Sequence, residues 1–266
     1  MKKVLLAFQF LTIIPVTGIK DVSEKDIGSA SAFFPVVGVV QGLIFAVSAG
    51  IFLKVFNAEL SNGLVLLVMV LTSGGLHLDG LSDTFDAVAS TGDREKKLQI
   101  MKDSTIGPIG VIAIVIVLLL KYILLNALFS NSTINIYYLS LLLMPVFSRW
   151  TMVTALFHAR TASQHGLGKT FIEHTGLKQL LIATFITVLV FMSALLITSK
   201  FGNRQLSIVN CQFVFILPLL YIFSLMSLWF FNRRFGGATG DNFGAVSELS
   251  EILFLIMAII CIQNFI

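Results

Sequence analysis

Charge is what this sequence has least of. Only 12% of its 266 residues are Asp, Glu, Lys or Arg, against 56% hydrophobic ones. A soluble domain carries about 25% charged residues, and a mean hydropathy of +0.93 excludes that class. Cysteine is nearly absent as well. Cys211 and Cys261 sit in separate apolar runs without ligand-like spacing, which speaks against a disulfide framework or a zinc site. The four histidines, His77, His158, His165 and His174, show no metal-ligand spacing either. A formal net charge of +4 calls for no nucleic-acid partner. A membrane protein collects Lys and Arg in its cytoplasmic loops for its own reasons.

Apolar runs are what the chain has instead. They fall at 32–55, 60–78, 107–128, 136–157, 179–198, 208–231 and 247–265. Each is near the roughly 20 residues that cross a bilayer as a helix. The reading is all-α: a polytopic membrane helical bundle of about seven transmembrane helices, one integral membrane domain over residues 1–266, surrounded by lipid. Met1-Lys2-Lys3 followed by Val4 to Val16 imitates a signal peptide, and Ala30-Ser31-Ala32 offers a cleavage-like site. Pro15 ends that run early, however, and five charges between Lys20 and Asp26 separate the two. Residues 1–14 therefore read as a retained N-terminal interfacial helix.

The connections alternate in character. Asn57 to Asn62 and Phe129 to Asn135 are short and nearly uncharged, whereas 79–106, 158–178 and 232–246 are long, charged and rich in Gly, Asp and His. Setting aside Lys54, Lys121, Lys200 and Arg204, fourteen of the 18 basic residues share the face of the N-terminus and the long loops. By the positive-inside rule that face is cytoplasmic, with the N-terminus inside the cell membrane and Ile266 outside.

The polar motifs gather on this face. In Gly74-Gly75-Leu76-His77-Leu78-Asp79-Gly80-Leu81-Ser82-Asp83-Thr84-Phe85-Asp86 the acids are spaced four and then three apart. A helix stacks Asp79, Asp83 and Asp86 on one face. Such pairs repel by about 0.2–0.5 kcal/mol each when exposed, so a cation belongs among them. Hard oxygen ligands favour Mg²⁺ over zinc. The plainer reading is a set of solvated charges marking the membrane boundary. His77 reads as a hydrogen-bond donor.

A second motif, Met101 to Gly110, opens the third run. Pro108 suits a first helical turn, with Ser104 or Thr105 as cap, and the free N–H groups there can receive a phosphate. Lys102 can clamp one. Asp103 either joins the metal site or caps the helix. Arg149, within the fourth run, costs about 2.5–3.5 kcal/mol at mid-membrane unless it finds a partner or snorkels to the interface.

The third motif is Arg233-Arg234-Phe235-Gly236-Gly237-Ala238-Thr239-Gly240-Asp241-Asn242-Phe243-Gly244-Ala245, whose four glycines permit positive φ and close backbone approach. It lacks the terminal Gly-Lys-Ser/Thr of a Walker A loop. Gly236, Gly237, Thr239 and Gly240, flanked by Arg233 and Arg234, read as an anion or nucleotide loop, and Asp241 as a metal ligand. Glu248 and Glu251 stand three residues apart on the last run, and acids inside an apolar helix are functional suspects. Glu248 joins Asp79, Asp83, Asp86, Asp103 and Asp241 in the candidate metal set.

Gly-Gly-Leu-His-Leu-Asp-Gly-Leu-Ser-Asp-Thr at 74–84, Met-Lys-Asp-Ser-Thr-Ile-Gly at 101–107 and Gly-Gly-Ala-Thr-Gly-Asp at 236–241 resemble the adenosylcobinamide-GDP ribazoletransferases, also called cobalamin (5′-phosphate) synthases. Phe10-Leu11-Thr12-Ile13-Ile14-Pro15-Val16 and Phe34-Pro35-Val36-Val37-Gly38 are similar to that family too, so the resemblance runs through the whole chain. It implies a Mg²⁺-dependent transferase at the cytoplasmic membrane. Adenosylcobinamide-GDP and α-ribazole, or α-ribazole 5′-phosphate, would give adenosylcobalamin, or its 5′-phosphate, and GMP. In that chemistry Asp79, Asp83 and Asp86 would serve metal and proton transfer, while Lys102, Arg149, Arg233 and Arg234 would hold phosphates. The resemblance leaves open a homo-oligomer or an assembly with other cobalamin-assembly enzymes.

The Asp-Gly-x-x-Asp element also resembles part of the CDP-alcohol phosphotransferase pattern, but the rest of that pattern is missing. A rival class is a cation transporter with an acidic intramembrane path. Against it, the acids collect at one interface, and a path needs polar residues through the bilayer.

Overall fold

The structure, a computed structural model, describes residues 1–16, 18, 21–103, 105–163, 165–200 and 215–263, the side chains of 197–200 excepted. Cys211, Ser104, Lys20, Arg204, Ile266 and the start of the expected 208–231 run lie outside the described residues. In chain order the helices are α1 (Lys2–Leu11), α2 (Glu24–Ala30), α3 (Phe34–Phe52), α4 (Ala58–Ser73), α5 (Leu76–Ala89), α6 (Arg94–Ile100), α7 (Pro108–Asn131), α8 (Ile134–His158), α9 (Leu167–His174), α10 (Leu177–Lys200), α11 (Ile216–Phe235) and α12 (Gly240–Gln263). A 3₁₀ turn, Ser31–Phe33, joins α2 to α3. Six of these segments are long and apolar enough to cross a membrane, and α4 with α5 makes a seventh if taken together. The all-helical bundle is the architecture read from the apolar runs.

Where each helix faces follows from its side chains. On α7, Val111, Val115, Leu119 and Ile123 recur every fourth residue and are about half exposed. A stripe of that kind has no protein to cover it and belongs to lipid. By contrast α8 is buried along almost all its length and forms the axis of the bundle. Helix α3 packs closely on it through two glycines: a Cβ on Gly38 would come within 2.7 Å of the Pro145 carbonyl oxygen, and one on Gly42 within 2.8 Å of Leu142 Cα. Apolar side chains gain nothing by leaving lipid for each other, so close backbone approach through small residues is what binds such helices.

The one sharp departure from a straight bundle lies between α4 and α5. Gly74 and Gly75 both adopt positive φ, +63° and +74°. Gly74 N–H bonds to Leu71 O and Gly75 N–H to Val70 O, which closes α4. Two successive left-handed residues are open to glycine and strained for any other. The chain restarts as α5 after an 87° bend. What reads in sequence as one run to residue 78 followed by a loop is thus a short helix and a second one laid across it. The last helix likewise starts at Gly240, well before the apolar run at 247, because its first turns are polar and buried.

Candidate active site

Helix α5 is held against the first turns of α12 by glycine. A Cβ on Gly80 would sit 2.6 Å from Asp241 O, and one on Gly244 3.1 Å from His77 O. Asn242 stitches the same crossing: its Nδ2 donates to Thr84 Oγ1 at 3.0 Å, and its Oδ1 accepts from Thr239 N–H at 2.9 Å. This crossing joins residues about 160 positions apart and puts Asp241 beside Asp79 and Asp83. The negative fields of Asp79, Asp241 and Asp86 all act on Asp83, and that of Asp79 acts on Asp241. Asp79 is exposed, while Asp83 and Asp241 are half-buried. Among the described residues no Lys or Arg pairs with any of them.

Asp86, on the same helix, is engaged differently. Its Oδ2 accepts from Gly107 N–H and its Oδ1 from Gly110 N–H, both at 2.8 Å. It caps α7 from outside, where Gly107 offers no side chain of its own. Asp103 caps locally: its carboxylate accepts from the Thr105 amide at 3.0 Å and the Thr105 hydroxyl at 2.8 Å, which holds its pKa below the usual carboxylate range. Both carboxylates are engaged as caps, in contrast to Asp79 and Asp83.

A cavity of about 610 Å³ opens beside this cluster. Its walls come from the start of α5 (Leu76, His77), Leu98 of α6 with Met101 and Lys102 just after it, Ala162, Ser163 and His165, the first turns of α9 with Phe171, the N-terminal turns of α12, and Phe10, Phe34, Met152 and Leu156. Of the aspartates, Asp241 lines it. Gly168 lets the α9 segment come close to α12, since a Cβ there would be 2.6 Å from Gly240 N. His77 is buried against the cavity with Nε2 lacking a hydrogen-bond partner.

Other expected site residues are placed elsewhere. Glu248 lies buried beside α7, and Lys121 Nζ donates to both Glu248 Oε2 and Glu251 Oε2 at 2.6 Å. Arg149 is buried too. Its Nε donates to Gln41 Oε1 at 3.1 Å, an NH group donates to Ser247 Oγ, and Glu251 is 3.8 Å away. The sequence set Lys121 aside as an exception to the charge pattern, and it is the partner these acids lacked. Arg233 and Arg234 are exposed in the last turn of α11, stacked over Trp229 at 4.4 Å and Phe230 at 5.7 Å, and do not line the cavity. Gly236 ends α11 with φ +71°. Gly237 packs on the backbone of 160–162, where Ala238 N–H bonds to Arg160 O and Ala162 N–H to Ala238 O. The glycine stretch therefore fastens a loop, while Thr239, Gly240 and Lys102 do reach the cavity.

The close approach expected of the glycine stretch is found at Gly244, whereas sequence reasoning gives no role to Asn242, Gly80 or the phenyl rings of Phe10 and Phe171. For the glycines a signal existed in their spacing around the aspartates. The rings look like any other apolar residue.

Fold and site together define a polytopic helical membrane protein with an unpaired acidic cluster beside a substrate-sized cavity. A family profile described as "Cobalamin-5-phosphate synthase" matches residues 3–259, and the chain belongs to that family. It is 34% identical over 255 residues to the "Adenosylcobinamide-GDP ribazoletransferase" of Clostridium acetobutylicum, covering 96% of this chain and 94% of the relative. The proteins of the same name from Geotalea daltonii and Acetivibrio thermocellus are each 36% identical, over 250 and 258 residues. These matches cover 94% and 97% of this chain, and 94% and 97% of the respective relatives. No solved structure gives a significant match.

Proposed function

We infer that this protein joins adenosylcobinamide-GDP to α-ribazole or its 5′-phosphate, releasing GMP and forming adenosylcobalamin or its 5′-phosphate. Membership of the family carries the overall reaction. The observation that ties it to residues is the group of unpaired aspartates at the α5–α12 crossing, with Asp241 lining the cavity. A ribazole hydroxyl attacks the phosphorus on the cobinamide arm. A new P–O bond forms, the bond to GMP breaks, and GMP leaves with the electron pair. Asp241, the acid that lines the cavity, is placed to take the hydroxyl proton.

Mg²⁺ suits this site in a particular way. Among the described residues no three His, Cys, Asp or Glu side chains form a ready cage for an ion. Mg²⁺ keeps several waters and is commonly held by one or two carboxylates plus substrate phosphates, so Asp79 and Asp83 fit a metal that is completed by the pyrophosphate. When bound there it would neutralise phosphate oxygens and the leaving group. A cation path, by contrast, loses its deep acids, because Lys121 and Arg149 engage Glu248 and Glu251.

The test is GMP release by purified protein in liposomes, with and without Mg²⁺. Turnover that needs Mg²⁺ and both substrates supports the reading, and none under any divalent ion overturns it. The site is also assigned to the cytoplasmic face, with the N-terminus inside. Gly92→Cys should then resist an impermeant thiol reagent in intact cells and react in inverted vesicles.

A further inference from the structure

The cavity carries more than its closeness to Asp241. Three of its lining rings cluster: Phe10 to Phe171 at 4.6 Å, Phe34 to Phe171 at 5.5 Å and Phe10 to Phe34 at 5.9 Å between centroids. They come from α1, α3 and α9, so the N-terminal helix helps build the wall. Phe34 is fully buried behind the others, Phe171 is buried with 3% of its surface exposed, and Phe10 is half-buried and gives the wall most of its open surface. Met152 and Leu156 add further apolar surface. The polar part of the lining comprises His77, Ser163, His165, Thr239 and Asp241 together with Lys102, which is exposed, and Lys169, which is half-buried and 3.6 Å from Glu173.

We propose that this cavity is the subsite for the nucleoside acceptor: the Phe10–Phe171 wall, backed by Phe34, holds the base of α-ribazole, and Lys102 and Lys169 take the phosphate of its 5′-phosphorylated form. The proposal rests on the function inferred above and deepens it. A cavity of about 610 Å³ has room to enclose a drug-sized ligand and not a whole corrinoid nucleotide, which is far larger. Chemistry then separates the two remaining bases. Guanine presents an amide, an amino group and a carbonyl along its edges; the phenyl, thioether and aliphatic part of the lining offers these no partners, so guanine would have to turn its edges to His77, Ser163, His165, Thr239 or Asp241. The base of α-ribazole is a dimethylated benzimidazole with one free ring nitrogen, and its flat apolar face suits ring stacking. The assignment puts the guanosine end of the other substrate outside this cavity.

The assignment is tested first on the unaltered protein in liposomes with an acceptor series. A riboside of unmethylated benzimidazole should show a KM about tenfold higher than α-ribazole, as the loss of two buried methyl groups predicts. A purine riboside should not compete. Equal use of all three would overturn the assignment. Phe171→Leu and Phe10→Leu should then raise the KM for α-ribazole about tenfold while leaving the KM for adenosylcobinamide-GDP within about twofold. Lys102→Gln should weaken α-ribazole 5′-phosphate and spare the unphosphorylated form. If the variants instead raise the KM for adenosylcobinamide-GDP, or relieve inhibition by GMP, the cavity holds guanine and the proposal fails. The acceptor series decides the matter even if the Leu variants fold poorly. Absence of any GMP release by the unaltered protein would sink the inferred function itself, a result distinct from normal turnover with the wrong KM pattern.

Discussion

Two acidic regions of this molecule use the same side chains to opposite ends. At the α5–α12 crossing, Asp79, Asp83 and Asp241 act on one another with no cation among the described residues to pair with them. Deeper along α12, Glu248 and Glu251 meet Lys121 and Arg149, all four buried. Buried charge is tolerated when it is paired and hydrogen-bonded. An unpaired acidic group at a cavity must find its countercharge in something that binds. The carboxylates without a cationic partner gather at the α5–α12 crossing beside the cavity, and those that have one join α7, α8 and α12.

The largest effect should come from the unpaired group. Asp79→Asn or Asp83→Asn should lower GMP release by about a thousandfold, since a lost metal or phosphate-neutralising charge costs several kcal/mol of transition-state stabilisation. Asparagine keeps the size and relieves repulsion, so thermal stability of the purified protein in detergent should hold or rise slightly. Wild-type turnover by Asp79→Asn at limiting Mg²⁺ would return these acids to the role of boundary charges.

The paired group should respond in the reverse sense. Lys121→Met leaves Glu248 and Glu251 buried with only the more distant Arg149, and removing one partner of a buried pair typically costs about 3–5 kcal/mol. Thermal unfolding in detergent should register that loss, and adding Glu248→Gln should recover part of it. If Lys121→Met folded as well as the wild type yet released no GMP, the two regions would exchange roles.

Between the extremes lies Asp86, whose sequence spacing matches that of Asp79 and Asp83 but whose bonds are those of a cap. Asp86→Ala should destabilise the protein by about 1 kcal/mol, the usual worth of an N-cap, and reduce turnover only several-fold. A loss as deep as that of Asp83→Asn would place Asp86 in the reacting group.

Asp86 also shows where sequence reading stopped. Helical periodicity put three aspartates on one face, and α5 is that helix. Periodicity could not say that the N–H groups of Gly107 and Gly110 would occupy one of the three. The same holds for Lys121. Its apolar surroundings were plain, whereas its partners lie 127 and 130 residues away, and a single sequence carries no sign of such pairings. The apolar runs were legible because the bilayer imposes length and hydropathy locally. Helix starts were misjudged at α5 and α12 because glycine-mediated contact, not hydropathy, decides where those helices lie. Asp241 was associated with the Asp79 cluster through shared charge and a shared face of the membrane, and the glycines at 80 and 244 supply the geometry.

The smallest effect is assigned to a pair the motif made prominent. Arg233 and Arg234 look like phosphate clamps in sequence, but they stack on Trp229 and Phe230 at the exposed end of α11. An arginine over an aromatic ring at an exposed site is worth about 0.5–1 kcal/mol, and near a membrane surface it serves to seat the helix at the interface. Arg233→Gln and Arg234→Gln should therefore leave the KM for both substrates within about twofold, with at most a small fall in thermal stability. The two variants should behave alike, because each loses the same kind of stacking contact. A tenfold rise in the KM for adenosylcobinamide-GDP in either one would mean that the guanosine diphosphate end reaches past Asp241 to this edge of the molecule. The acidic crossing would then bind only the reacting phosphates, and α11 would have to be counted as part of the substrate surface.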